Sequence, residues 1–234
     1  LNRVVLHCSP HPDDEAIGAP ATLMALRDAG WRVVNLACGL GGADQRRRRE
    51  AELQEACARA GFELRPAGSR DAGAAIREEI AELRPSVLVS PGPHELHPAH
   101  VLLAEAARDA LAAAGDGAPR WWMWALWGSL RQPTLATPFG PSRMKEVLAV
   151  LEAHEGELER NDYRRLVEGR AAMSASLAPE LLFGFGSTAD SGTDYAELLT
   201  EAVPGGGRWL LGRARWLDPK APLAPPGEAE ALVE

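Results

Sequence analysis

The sequence predicts an α/β fold: a Rossmann-like, mostly parallel sheet flanked by helices, with its active site at the carboxyl-end edge of the strands and smaller C-terminal α+β elements. Three observations predict it. Through residue 130, apolar runs of strand length such as Val4-Val5-Leu6 and Val87-Leu88-Val89 alternate with stretches whose apolar residues recur at helical spacing. Such alternation implies parallel strands joined by covering helices. Two of these runs lead straight into short segments dense in histidine and carboxylate, and open α/β sheets carry their sites just beyond the carboxyl ends of the strands. From residue 121 onward the texture changes to tryptophans, prolines and long amphipathic stretches.

The first strand is expected over residues 3–8, and its helix carries Ile17, Ala21 and Met24 on one face until Gly30 closes it. Strand two covers 31–38. Its loop, 39–44, is glycine-rich, but Asp44 stands where a G-x-G-x-x-G phosphate loop needs its last glycine, so it reads as a flexible rim of the site and not as a nucleotide cradle. Leu53, Ala56, Cys57 and Ala60 mark the next helix, ended by Gly61. A short strand at 62–65, a helix with Ile76, Ile80 and Leu83, and a strand ending at Ser90 follow. Leu103, Ala106, Ala107, Ala110, Leu111 and Ala114 form the cleanest apolar stripe in the chain, ahead of a loop at 115–119.

Residues 121–127 read as a strand with aromatic side chains on both faces. Trp122 and Trp124 are assigned to the core, whereas Trp121 and Trp127 stay open between core and sugar stacking. A Pro-rich connection spans 132–141, followed by a helix with Met144, Val147, Leu148 and Leu151. His154, among Glu152, Glu155 and Glu157, reads as a surface residue of that helix. Another helix begins at 161–163 and runs to Ser176, and short strands are expected at 181–185 and 208–216. The stretch 186–192 is either a substrate-covering loop or a connector. A single α/β domain therefore covers 1–217, with its core at 1–130 and C-terminal elements at 131–217, and 218–234 is a Pro-rich tail, extended or disordered.

The chemistry concentrates at Ser9-Pro10-His11-Pro12-Asp13-Asp14-Glu15. Prolines on both sides of His11 stop the strand and hold the turn, because proline fixes its own φ and biases the preceding residue toward extended geometry. A histidine and three carboxylates beside a buried strand are costly without a partner for their charge, and a bound cation is the simplest one. His11 and Asp14, three apart at a strand-to-helix junction, can point at a common centre. A catalytic Zn2+ usually takes three protein ligands, so another must come from elsewhere. The segment His94-Glu95-Leu96-His97-Pro98-Ala99-His100 offers it, again after an apolar run and before a helical pattern.

His-Pro-Asp-Asp-Glu after the first strand, with a later His-Pro-x-His before a helix, resembles the LmbE-like or PIG-L-type zinc-dependent N-acetylglucosamine deacetylases. The resemblance covers the first hundred residues or so, and extends more weakly to a helix start of the form Arg-x-x-Glu-Leu at Arg49-Glu50-Ala51-Glu52-Leu53. It implies one Zn2+ per chain held by His11, Asp14 and His100; such a ligand set also accepts Fe2+ or Co2+. It further implies that Asp13 is the general base toward the attacking water and that His97 donates to the oxyanion and the leaving nitrogen. The commoner family form has an aspartate where this chain has Ala99. Either His97 has a less elevated pKa for want of it, or Glu95 replaces the missing carboxylate. Glu15 reads as a helix-start residue supporting the site, favoured there by the helix dipole. Arg49 is either a contact to a substrate oxygen, in the family's manner, or a surface arginine.

The implied activity is removal of an N-acetyl group from an N-acetylglucosamine-containing small molecule. Two alternatives remain open. One is an amidase on a larger glucosaminyl conjugate, of the mycothiol-conjugate type. The other is a metal-binding module without turnover, motivated by Ala99 and by Cys38 where the family usually has a hydroxyl residue.

With 234 residues the chain is long enough for a full α/β core, and its 46% hydrophobic content is that of a globular protein. A formal net charge of −8 argues against a nucleic-acid partner, so the run Arg46-Arg47-Arg48-Arg49 reads as a solvated helix face. No apolar stretch reaches the roughly 18 residues a bilayer span needs, and the start lacks a signal-peptide pattern, although Leu at position 1 leaves room for a trimmed leader. The resemblance implies a small amino sugar as partner, and charge and hydropathy predict neither nucleic acid nor membrane. Cys8, Cys38 and Cys57 are odd in number and lack Cys-x-x-Cys spacing, which points to a reducing, cytoplasmic setting. Cys8 and Cys38 lie near the expected site edge, but read better as small buried apolar residues than as ligands.

Overall fold

Five parallel strands form the centre of the computed structural model, which describes residues 2–68 and 70–233. They are β1 (Val4–Ser9), β2 (Arg32–Ala37), β3 (Glu63–Pro66), β4 (Val87–Pro91) and β5 (Arg120–Trp124), in the spatial order β3-β2-β1-β4-β5. The chain steps outward from β1 to β3 and then crosses back to lay β4 on the other side of β1. In register, Leu6 of β1 lies between Val34 of β2 and Leu88 of β4. The strand order reverses between β1 and β4, and a crevice opens there because the loops leaving the two strands diverge to opposite sides. Both sequence motifs follow these two strands.

Strand residues alternate between two cores, as the pleat requires. Val5, Val33, Val87, Val89, Trp122 and Trp124 share one with α2 (Pro20–Asp28), α3 (Arg46–Ala60), α6 (Pro141–Leu151) and α8 (Tyr163–Phe183). Leu6, Cys8, Val34, Leu36, Leu88, Trp121 and Met123 meet α4 (Ala72–Leu83) and α5 (Pro98–Ala114) on the other face. Trp121, left open by the sequence, is thus core, as are Trp122 and Trp124; Trp127 is 40% exposed.

Several elements differ from expectation. The first helix is two: α1 (Asp14–Ile17) ends at Gly18, and Pro20 starts α2, since proline cannot supply the N–H that would continue the helical ladder. The Pro-rich connection contains a strand, β6 (Leu135–Phe139), whose Pro138 is paired only on the side of β7 (Tyr195–Gly205). Residues 181–183 are not a strand, because α8 continues through Pro179 to Phe183 with Ala171, Ala175, Ala178 and Leu182 still buried at helical spacing. The sequence offered no signal for β7 (Tyr195–Gly205), which is antiparallel to β5 over Thr200 to Ala202 and to β6 over Tyr195 to Leu199. Its partner β8 (Arg208–Gly212), and β10 (Pro226–Glu230) paired to β8 in turn, extend the sheet, so the Pro-rich stretch 218–234 contains a paired strand. The two-residue β9 (Arg215–Trp216) pairs β6. No helix among the described residues is long and apolar enough to cross a membrane.

Candidate active site

β1 ends at Ser9, and the two prolines carry the chain round to Asp14, the first residue of α1. His11 donates its backbone N–H to Asp14 Oδ2 at 2.8 Å, and its ring Nδ1 lies 3.3 Å from the same oxygen. After β4, Pro98 takes the first position of α5, where its missing N–H has no helical partner to lose. His97 caps that helix: its Nδ1 accepts the Ala99 N–H at 3.2 Å. One turn in, His100 presents Nε2 at 3.4 Å from Asp14 Oδ1, with its Nδ1 at 3.6 Å from Glu95 Oε1. The crevice therefore brings together all four residues from two strand ends.

The ring centroids of His11, His97 and His100 lie 4.8 to 5.3 Å apart, and each ring offers a nitrogen within 4.8 Å of the others, a group able to hold a metal ion. The carboxylate of Asp14, 1% exposed, adds oxygens to two of these rings. Burial alone would raise Asp14, but the hydrogen bond from His11 and the His100 charge hold it below the usual carboxylate range. A carboxylate kept ionised between imidazoles suits a divalent cation of the zinc, iron or cobalt type. His97 is lowered by burial and by the neighbouring His11 and His100 rings, and is therefore neutral near pH 7.

Glu95 does not orient His97, as the sequence suggested. Its oxygens face His100 and accept the backbone N–H groups of Leu126, Trp127 (3.0 Å) and Gly128 (2.9 Å), so one carboxylate ties the second motif to the loop after β5. Gly128 is needed at that contact, because a Cβ there would sit 2.1 Å from the carbonyl oxygen of His94. Burial pushes Glu95 up, but the neighbouring His100 ring and the backbone hydrogen bonds from Leu126 and Gly128 outweigh it and hold the group low.

Asp13 sits directly beneath the cleft and is 5% exposed. Its φ of 127° is a conformation that L residues avoid, so its placement depends on what surrounds it. Burial, together with Asp14 and Glu15, raises its carboxyl well above the ordinary value. Glu15 is fully buried; one oxygen accepts the Asp13 N–H at 3.1 Å and the other meets Nε2 of His154. This corrects the surface assignment of His154, which is 0% exposed. The chain bends after α6, and His154 turns inward at the start of α7 (Glu155–Arg160).

Arg49 is not a free surface arginine. Its Nη2 donates to the carbonyl of Pro12 at 3.1 Å and pairs with Glu157 at 3.1 Å. Arg49 also borders a cleft of about 340 Å³ lined by His11, Asp13, Asp14, His97, His100, Trp127 and Tyr163. Cys8 and Cys57 are buried in the two cores and Cys38 is half-buried; burial pushes the Cys38 thiol up to about 12. His154, Glu157 and Tyr163 were missed as site residues because no local pattern marks them; only the return of the chain after β6 brings Glu157 and Tyr163 to the cleft and His154 against Glu15.

A parallel sheet with histidines and a buried carboxylate converging at its switch point defines an α/β protein with a candidate metal centre. Residues 6–111 match the family model described as PIG-L: GlcNAc-PI de-N-acetylase, so this part of the chain is similar to the PIG-L, or LmbE-like, deacetylases. The fold is similar to that of N,N'-diacetylchitobiose deacetylase from Pyrococcus horikoshii, with 17% identity over 85% of this chain and 83% of that one and a TM-score of 0.65. It is also similar to a zinc-inhibited form of the teicoplanin deacetylase Orf2, with 16% identity over 86% and 98% and a TM-score of 0.65. GalB, the 4-carboxy-2-hydroxymuconate hydratase from Pseudomonas putida KT2440, matches with 14% identity over 87% and 97% and a TM-score of 0.67. At such identities the likeness shows the fold alone, and a fold can host unrelated chemistries. No curated protein matches the chain in sequence.

Proposed function

We propose that this protein is a metal-dependent hydrolase that removes an N-acetyl group from an N-acetylglucosamine-containing small molecule. The observation that carries the proposal is the convergence of Asp14, His11 and His100 within 3.4 Å contacts, with the buried Asp13 alongside. His11, Asp14 and His100 would hold one divalent cation, Zn2+ first and Fe2+ or Co2+ next. Glu95 behind His100 fits this assignment, since a ligating imidazole commonly gives its far N–H to a carboxylate. When bound, the cation supplies positive charge that polarises the amide carbonyl and makes a water acidic near neutral pH.

The chain's own residues do the rest. Asp13 takes the proton from the attacking water and passes it toward the leaving nitrogen, since it adjoins the ligand Asp14 yet faces the cleft. His97 keeps Nδ1 on the Ala99 N–H, which leaves Nε2 as the donor to the developing oxyanion. Arg49 meets a substrate oxygen from the cleft wall, and Trp127 offers a face for a sugar ring. The free cysteines support a reducing, cytoplasmic setting. An apolar cavity of about 510 Å³, sharing Leu126 with the cleft, favours a second reading with the same chemistry, an amidase on a larger glucosaminyl conjugate.

Elemental analysis of the purified protein, paired with acetate release from N-acetylglucosamine compounds, tests the proposal. About one equivalent of metal, together with turnover lost in Asp13→Asn, is the expected result. Protein that takes up no zinc, or that keeps turnover in Asp13→Asn, overturns it.

A further inference from the structure

The peptide bond between Pro12 and Asp13 is gripped at both ends. Its carbonyl accepts from Arg49 Nη2 at 3.1 Å, and that nitrogen is itself paired with Glu157 at 3.1 Å. Its N–H donates to Glu15 at 3.1 Å, and the other Glu15 oxygen meets His154. The C=O and N–H of a trans peptide point to opposite sides, so the two relays act on opposite edges of one plane. Both relays start where the chain enters α7, at His154 just before the helix and Glu157 in its first turn, far along the chain from the motif they hold.

On the following side, the Asp13 carbonyl accepts from Ala16 (2.8 Å) and Ile17 (3.0 Å), which fixes the next peptide plane to α1. With both flanking planes held, the φ of 127° at Asp13 is over-determined, the condition under which such a conformation persists. Relaxing either plane would let Asp13 rotate toward an ordinary region and swing its carboxylate away from the crevice.

We infer that His154 and Glu157 are positioning residues for Asp13, acting through Glu15 and Arg49 to clamp the Pro12–Asp13 peptide. The functional consequence rests on the proposal that Asp13 is the general base; the clamp itself does not. Because a displacement of about 1 Å at a reacting group can cost a hundredfold, loosening this peptide should reach the chemistry without touching the substrate.

The test uses His154→Leu, His154→Gln and Glu157→Ala in the full chain. Hydrogen exchange at the Asp13 amide is followed by NMR, alongside metal content and acetate release from N,N'-diacetylchitobiose. His154→Leu and Glu157→Ala should each speed Asp13 exchange at least roughly tenfold, with β1 amides such as that of Leu6 unchanged. His154→Gln, whose side-chain amide can still donate to Glu15, should restore protection. Turnover should fall roughly tenfold to a hundredfold in the first two variants with KM and metal content kept. Unchanged Asp13 exchange in Glu157→Ala, or in His154→Leu if it folds, overturns the clamp. Turnover retained in Asp13→Asn instead overturns the general-base assignment and leaves the exchange result to decide the clamp alone.

Discussion

Glu95 stands behind His100: its carboxylate lies 3.6 Å from Nδ1, while the other nitrogen of the ring lies 3.4 Å from Asp14. The ring is thereby held between two carboxylates, and three backbone N–H groups of the loop after β5 hold Glu95 in turn.

Replacing Glu95 by Ala should damage two properties at once. It removes the acceptor of three backbone donors in a partly buried loop, at about 1–3 kcal/mol for a group left unsatisfied, so chemical denaturation should register a loss of about 3 kcal/mol. It also frees the His100 ring, so zinc affinity should fall about 10- to 100-fold in a competition titration. Unaltered affinity would separate Glu95 from the metal centre.

His97 shares the histidine cluster but keeps one nitrogen on a backbone N–H. His97→Ala should therefore retain its metal and lose about 10²–10³ in turnover, whereas Asp14→Ala and His100→Ala should purify without metal. Metal lost from His97→Ala but kept in Asp14→Ala would make His97 the third ligand.

The pH dependence of stability carries the mark of His154. Burial lowers its pKa, but the Glu15 charge and hydrogen bond raise it more, so the net shift is upward. A base whose folded pKa is raised stabilises fully below its unfolded value of about 6.5, and that contribution fades as pH rises through the folded pKa. In urea unfolding, the advantage of the wild type over His154→Gln should be largest near pH 6 and shrink toward pH 9. A constant gap would mean that no charged pair forms.

Close backbone approach makes a further claim. At Gly39 a Cβ would lie 2.5 Å from the Pro10 carbonyl oxygen, and at Gly128 the overlap is with the backbone of His94. Gly39→Ala and Gly128→Ala should each cost about 1–3 kcal/mol, read from thermal or urea unfolding. Full stability in Gly128→Ala would show that the loop around Glu95 moves freely.

The local sequence was sufficient for the parallel half of the fold and for the two histidine-rich motifs. Strand-length apolar runs and helical stripes need no distant partner to be recognised, and His11, Asp14, His97 and His100 lie within short segments that their own prolines shape. Knowing that both segments follow parallel strands was enough to expect them at one edge.

What the sequence could not decide lies in contacts between distant segments. His154 looks like a solvated histidine among glutamates, and only the bend after α6 carries it against Glu15. Glu95 looked like a partner for its neighbour His97, yet its side chain turns to His100 and to a loop about thirty residues on. β6 and β7 were hidden by prolines and by a mixed pattern, because a strand's pairing is defined by its neighbours and not by its own residues. The sequence determined which groups are available to the site, since residue type and spacing are local properties. The tertiary structure alone decided which of them hold one another, because a buried charge takes its partner from whatever packing brings within hydrogen-bonding distance.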